Sequence, residues 1–133
     1  MHASVPAETR GCLAIIDDDS AVLDALKFAL SIEGFNVQIY SSGPEFVASL
    51  PEAEPACVIV NYHMPDMTGL EIASHLRADG FLVPIIMLTG LVDRMVNSRA
   101  VALGINHVLA KPPAEGELVQ TIRQCLAGKE TSG

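Results

Sequence analysis

In four places this 133-residue chain puts a polar, chemically able side chain directly after an apolar run. Cys12 to Ile16 leads into three successive carboxylates, Asp17, Asp18 and Asp19. Cys57-Val58-Ile59-Val60 leads into Asn61, Ile85-Ile86-Met87-Leu88 into Thr89-Gly90, and Val108-Leu109-Ala110 into Lys111-Pro112. Carboxylates grouped near a lysine suit a hard divalent cation such as Mg2+, which takes oxygen ligands and keeps several waters. A lysine ammonium and a threonine hydroxyl suit the oxygens of a phosphoryl group. Asn61 differs in kind. Its amide cannot ionise, and its neutral carbonyl oxygen is a poor nucleophile. Taken singly, each element is ordinary: an acidic triplet is commonly a helix cap, and Thr-Gly is commonly turn chemistry. Their coincidence at the ends of four apolar runs is what points to a site.

Residues this far apart in sequence need a scaffold to bring them together. From Gly11 onward, strand-like and helix-like segments alternate five times. Strands are expected at about 12–16, 36–40, 57–60, 84–88 and 106–109, and helices at about 20–33, 43–50, 68–79, 92–103 and 114–127. Three of the strands are continuously apolar, which implies burial on both faces and a parallel sheet covered by helices. Ser42-Gly43-Pro44-Glu45 and Thr68-Gly69-Leu70-Glu71 both match the capping box. Gly34, Gly80, Gly104 and Gly128 each follow a helical run, where a left-handed cap is useful. In the first helix Val22, Leu26, Ala29, Leu30 and Glu33 alternate faces at helical spacing, with Asp24 and Lys27 turned outward.

The expected fold is α/β: a doubly wound, five-stranded parallel sheet in order 2-1-3-4-5 with helices on both faces, flavodoxin-like. Functional groups in such sheets gather in the crevice at the C-terminal strand ends. Strand 1 lies beside strand 3 in this order, so Asp17 and Asp18 are expected to face Asn61. Residues 1–10 are read as a disordered N-terminus, 11–128 as one domain and 129–133 as a tail or the start of a linker.

Bulk properties narrow the function classes. Half the residues are apolar, as a folded globule requires, and the net charge of −8 opposes direct nucleic-acid binding. No apolar stretch approaches the roughly 20 residues of a membrane span. The three cysteines, Cys12, Cys57 and Cys125, read as reduced, buried thiols of a cytoplasmic protein. The four histidines show no zinc-like spacing. A flavin or dinucleotide enzyme is disfavoured, since no G-x-G-x-x-G and no P-loop occur.

Over residues 11–127 the sequence resembles the receiver domain of two-component response regulators, most like those attached to LuxR-type DNA-binding output domains. The resemblance is carried by Ile15-Ile16-Asp17-Asp18-Asp19, by Val58 through Glu71 with its central Asn61-Tyr62-His63-Met64-Pro65-Asp66, by Pro84 through Gly90, and by Lys111-Pro112. It implies that Asp17, Asp18 and the backbone carbonyl of His63 hold Mg2+, that Thr89 and Lys111 bind phosphoryl oxygens, and that the Lys111–Pro112 peptide is cis. It also implies a sensor histidine kinase as phosphoryl donor, a homodimer through helix 4, strand 5 and helix 5, and either an output domain outside this chain or a single-domain regulator. Self-catalysed aspartyl phosphorylation and dephosphorylation would be its only chemistry.

Three positions depart from the family pattern. Asn61 stands where the family has its phospho-acceptor aspartate, so this chain should not be phosphorylatable, should bind Mg2+ weakly and should not act as an enzyme. Val108 stands at the aromatic switch position that is normally coupled to Thr89. Pro113 stands where phenylalanine is common, and should fall in the first turn of the last helix. Two readings follow for Asn61: a phosphorylation switch blocked by an engineered or natural loss of its aspartate, or a natural pseudo-receiver that binds partners regardless of phosphorylation.

Overall fold

Strands and helices alternate five times: β1 (Leu13–Ile16), α1 (Ser20–Ile32), β2 (Val37–Tyr40), α2 (Gly43–Ser49), β3 (Cys57–Asn61), α3 (Gly69–Ala78), β4 (Ile85–Thr89), α4 (Arg94–Ala102), β5 (His107–Ala110) and α5 (Glu117–Ser132). The structure is a computed structural model that describes residues 12–50, 54–90, 93–114 and 116–132. The expected N-terminal segment 1–10 and the start of the fourth helix at 92 lie outside the described residues.

All strands pair in parallel in the order β2-β1-β3-β4-β5. The three continuously apolar runs form the three central strands, every residue of which is buried. The edge strands β2 and β5 are only partly covered. Strand alternation divides the core into two layers. Ala14, Ile16, Val58, Val60, Ile85 and Met87 pack against α2, α3 and α4 through Phe46, Ile72, Leu76, Val96 and Ala100. Leu13, Ile15, Cys57, Ile59, Ile86 and Leu88 pack against α1 and α5 through Leu23, Leu30, Leu118 and Ile122. Fully burying each such aliphatic side chain contributes roughly 1.5–3 kcal/mol.

The helix ends show where local chemistry decides. Asp19 caps α1, its carboxylate accepting from the amides of Ala21 and Val22. Thr68 and Glu71 form both halves of a capping box, with the Thr68 amide donating to Glu71 at 2.8 Å and the Glu71 amide to Thr68 at 3.2 Å. The Ser42 motif is only half a box: Ser42 accepts from the Glu45 amide, but Glu45 turns back to the Ser41 amide at 2.8 Å. Gly34, Gly80 and Gly104 do adopt positive φ after their helices.

Three expectations are corrected. Gly128 does not end the last helix, which runs on to Ser132. Pro113 precedes α5 rather than entering its first turn, since the helix starts at Glu117, whose side chain accepts from the Ala114 amide at 3.0 Å. In α1, Asp24 and Lys27 are exposed as expected, and the inward face is Leu23, Leu26 and Leu30. Cys12 is only partly buried, although Cys57 and Cys125 are buried, and none of the three is in a disulfide. Burial pushes the Cys12 thiol up, whereas a hydrogen bond with Cys57 pulls the Cys125 thiol down.

Candidate functional site

The site is assembled by strand register. Ile16 pairs with Val60, so the next residues out, Asp17 and Asn61, emerge side by side from adjacent strands. Asn61 itself pairs with Leu88, and Thr89 with Ala110, which sets Thr89 and Lys111 at the same edge of the sheet. The Lys111 amide donates to the Thr89 carbonyl at 2.9 Å, and the Lys111–Pro112 peptide is cis.

Asp17 is the hub. The residue is only 2% exposed, and both of its carboxylate oxygens have partners. Oδ2 accepts from Lys111 Nζ at 2.9 Å, while Oδ1 accepts from the Asp19 amide at 3.0 Å and, more loosely, from Asn61 Nδ2 at 3.5 Å. Asn61 Nδ2 also donates to the His63 carbonyl at 2.7 Å. A buried carboxylate needs such compensation, because desolvating an unpaired charge costs several kcal/mol, to an order of magnitude.

Gly69 holds the far wall in place. Its amide donates to the Tyr62 carbonyl at 2.9 Å. A Cβ there would lie 2.9 Å from the Asn61 carbonyl oxygen, 3.1 Å from Met87 Sδ and 3.2 Å from Tyr62 Cα. The start of α3 therefore packs directly on the backbone that presents Asn61, at a distance only glycine permits.

Not every residue singled out in the sequence joins this network. Asp18 is exposed and makes none of these bonds, and of the two acids Asp17 alone is hydrogen-bonded to Asn61. His63 is exposed as a side chain, with its ring 5.1 Å from that of Tyr62, and reaches the site only through its carbonyl. Thr89 is buried at the end of β4. Val108 is half-buried on β5, in register with Met87 and against the α2–α4 layer.

Oxygen donors of Asp17, Asp18 and the His63 carbonyl are of the type a hard cation takes. The bonding is less favourable, because two of the three already accept from the Asn61 amide. Among the described residues, no group of three or more His, Cys, Asp or Glu side chains is placed to hold a metal ion.

Residues 13–123 match the response regulator receiver domain. This chain belongs to that family. It is 31% identical over 122 residues to the transcriptional regulatory protein FixJ of Bradyrhizobium diazoefficiens, covering 92% of this chain and 60% of the relative. It is 34% identical over 120 residues to the response regulator protein TodT of Pseudomonas putida, covering 90% of this chain and 53% of the relative. The chain thus spans little more than half the length of these curated relatives. Among solved structures, the CheY-like receiver domain protein of Methanospirillum hungatei superposes with a TM-score of 0.85 at 26% identity, covering 92% of this chain and 98% of that one. The structure of FixJ-N superposes with a TM-score of 0.80 at 27% identity, covering 87% and 93%. No helix among the described residues is long and apolar enough to cross a membrane.

The receiver also carries a polar feature that sequence patterning did not reveal. Arg77, near the end of α3, donates to four carbonyls: Phe81 at 2.8 Å, Val83 at 3.0 Å, Leu103 at 2.9 Å and Gly104 at 2.9 Å. Burial pushes its guanidinium below the usual value, yet an arginine stays charged in proteins. Its partners are backbone atoms, so no residue type in the sequence could have signalled them.

Proposed function

We propose that this receiver carries the phospho-acceptor position of its family at Asn61 and is therefore an interaction module fixed in its unphosphorylated state. The observation that carries the reading is the convergence of Asp17, Asn61, the His63 carbonyl and Lys111 at one end of the sheet. In this reading Thr89 and Lys111 are the phosphoryl-binding side chains. Asp17, Asp18 and the His63 carbonyl are the Mg2+ ligands, weakened here by the Asn61 amide. Bound Mg2+ would neutralise charge on a transferring phosphoryl group. Asn61 supplies no carboxylate to accept that group, so self-phosphorylation and dephosphorylation are absent.

Val108 brings a second consequence. A valine cannot swing a ring between buried and exposed positions, so coupling from Thr89 to the β5 surface does not run through an aromatic switch. A natural pseudo-receiver, binding its partner without phosphorylation, is supported by the same crevice, whose buried acid is satisfied by Lys111 and two amide donors.

The partners of this reading are a sensor histidine kinase and a LuxR-type DNA-binding output domain outside the chain. The greater length of FixJ and TodT supports an added domain in such proteins. A homodimer through α4, β5 and α5 is supported by Met95 and Val101, which are 70% and 76% exposed on α4 beside the exposed Arg94 and Arg99. The test of the switch is transfer from a small donor. With acetyl phosphate and Mg2+, Asn61→Asp should gain one phosphoryl group, Lys111→Ala in that background should impair the response, and the chain itself should gain none.

A further inference from the structure

Three oxygens around Asn61 would each attract a positive charge: both carboxylate oxygens of Asp17 and the His63 carbonyl. Each faces a donor from the protein itself. Lys111 Nζ lies 2.9 Å from Asp17 Oδ2, and Asn61 Nδ2 lies 2.7 Å from the His63 carbonyl and 3.5 Å from Asp17 Oδ1. The shortest of these contacts is made by the amide nitrogen. Asn61 is 7% exposed and Asp17 2% exposed, so water does little of this work. An amide N–H carries only partial positive charge, but it is delivered from within the crevice and needs no ion from solution.

We propose that the Asn61 amide is a built-in competitor of the divalent cation: its N–H groups hold Asp17 and the His63 carbonyl, closing the crevice without an ion. The opposite role for the same residue is that of a weak oxygen ligand, with its carbonyl turned to the cation. The two roles predict opposite signs for one substitution. If Asn61 competes, removing it frees the His63 carbonyl and lifts the looser of the two bonds on Asp17 Oδ1, which keeps the Asp19 amide, and so tightens binding. If Asn61 is a ligand, removing it deletes a donor and weakens binding. The inference rests on the receiver reading of the site, and it adds a direction that reading lacks.

The experiment compares Mn2+ and Mg2+ binding to the chain, Asn61→Ala and Asn61→Asp, by calorimetry and by Mn2+ broadening of the Asp18 and His63 amide resonances. Asn61→Ala should bind roughly fivefold more tightly than the chain itself, the ratio expected for freeing about one hydrogen bond. Asn61→Asp should bind more tightly again. Equal or weaker binding by Asn61→Ala overturns the proposal. Should Asn61→Ala fail to fold, Asn61→Ser, which lacks the amide, takes its place with the same expected direction. Failure here is separable from failure of the receiver reading. An Asn61→Asp protein that takes up phosphoryl beside an Asn61→Ala protein that binds no better sinks only the competitor. The converse pair of results sinks only the switch.

Discussion

At the residue scale, two ion pairs among the described residues should contribute very differently. Lys111 and Asp17 meet with side-chain exposures of 25% and 3%, whereas Arg123 and Glu33 meet at 58% and 44%. Removing the ammonium in Lys111→Met leaves a buried carboxylate oxygen without its partner, and urea unfolding should show a loss of about 1–3 kcal/mol. Glu33→Gln should change stability by less than about 1 kcal/mol, because solvent already screens that pair. A Lys111→Met protein as stable as its parent would show that Asp17 is held by its amide donors alone. The neighbourhood of Asp17 was legible from sequence, because strand order 2-1-3 puts Asp17 beside Asn61. The direction in which Asn61 points its amide was not legible. It depends on the His63 carbonyl, a backbone atom placed by the loop after β3.

At the element scale, the placement of α3 is the critical geometry. Gly69→Ala should cost about 1–3 kcal/mol, since the added methyl meets backbone that cannot repack. Amide chemical shifts of Asn61 and Tyr62 should move with it, and unchanged shifts would mean that α3 does not set the crevice wall. At the other end of α3, Arg77→Ala should cost about 2–4 kcal/mol by thermal or chemical denaturation, because four carbonyls lose a charged donor. Arg77→Lys should recover little of this, since an ammonium cannot reach partners that a planar fork spans. These elements were unequally readable. The central strands were plain from their unbroken apolar runs, and the α3 start from Thr68 and Glu71. The end of α5 was not, because Gly128 resembles a helix stop and yet lies inside the helix.

At the scale of the whole molecule, the fold is a receiver, and the proposed reading puts the Asn61 amide at its acceptor position. Metal-free Asn61→Asp should be less stable than the chain itself, because a third carboxylate joins Asp17 and Asp18. Two unit charges about 4 Å apart repel by about 4 kcal/mol at an effective dielectric near 20, before relaxation. Mg2+ should reverse that loss, since an ion bound only by the folded state raises its melting temperature. No rescue by Mg2+ would count against a cation site between β1 and β3. The most direct test of the central claim is the location of the phosphoryl group. Asn61→Asp is treated with acetyl phosphate and Mg2+, the acyl phosphate is trapped by borohydride reduction, and the modified residue is mapped by peptide mass spectrometry. The predicted result is modification at position 61 alone, with none on the unsubstituted chain. Modification at Asp17 or Asp18, or none in a folded variant that binds Mg2+, would contradict the assignment of Asn61 to the acceptor position.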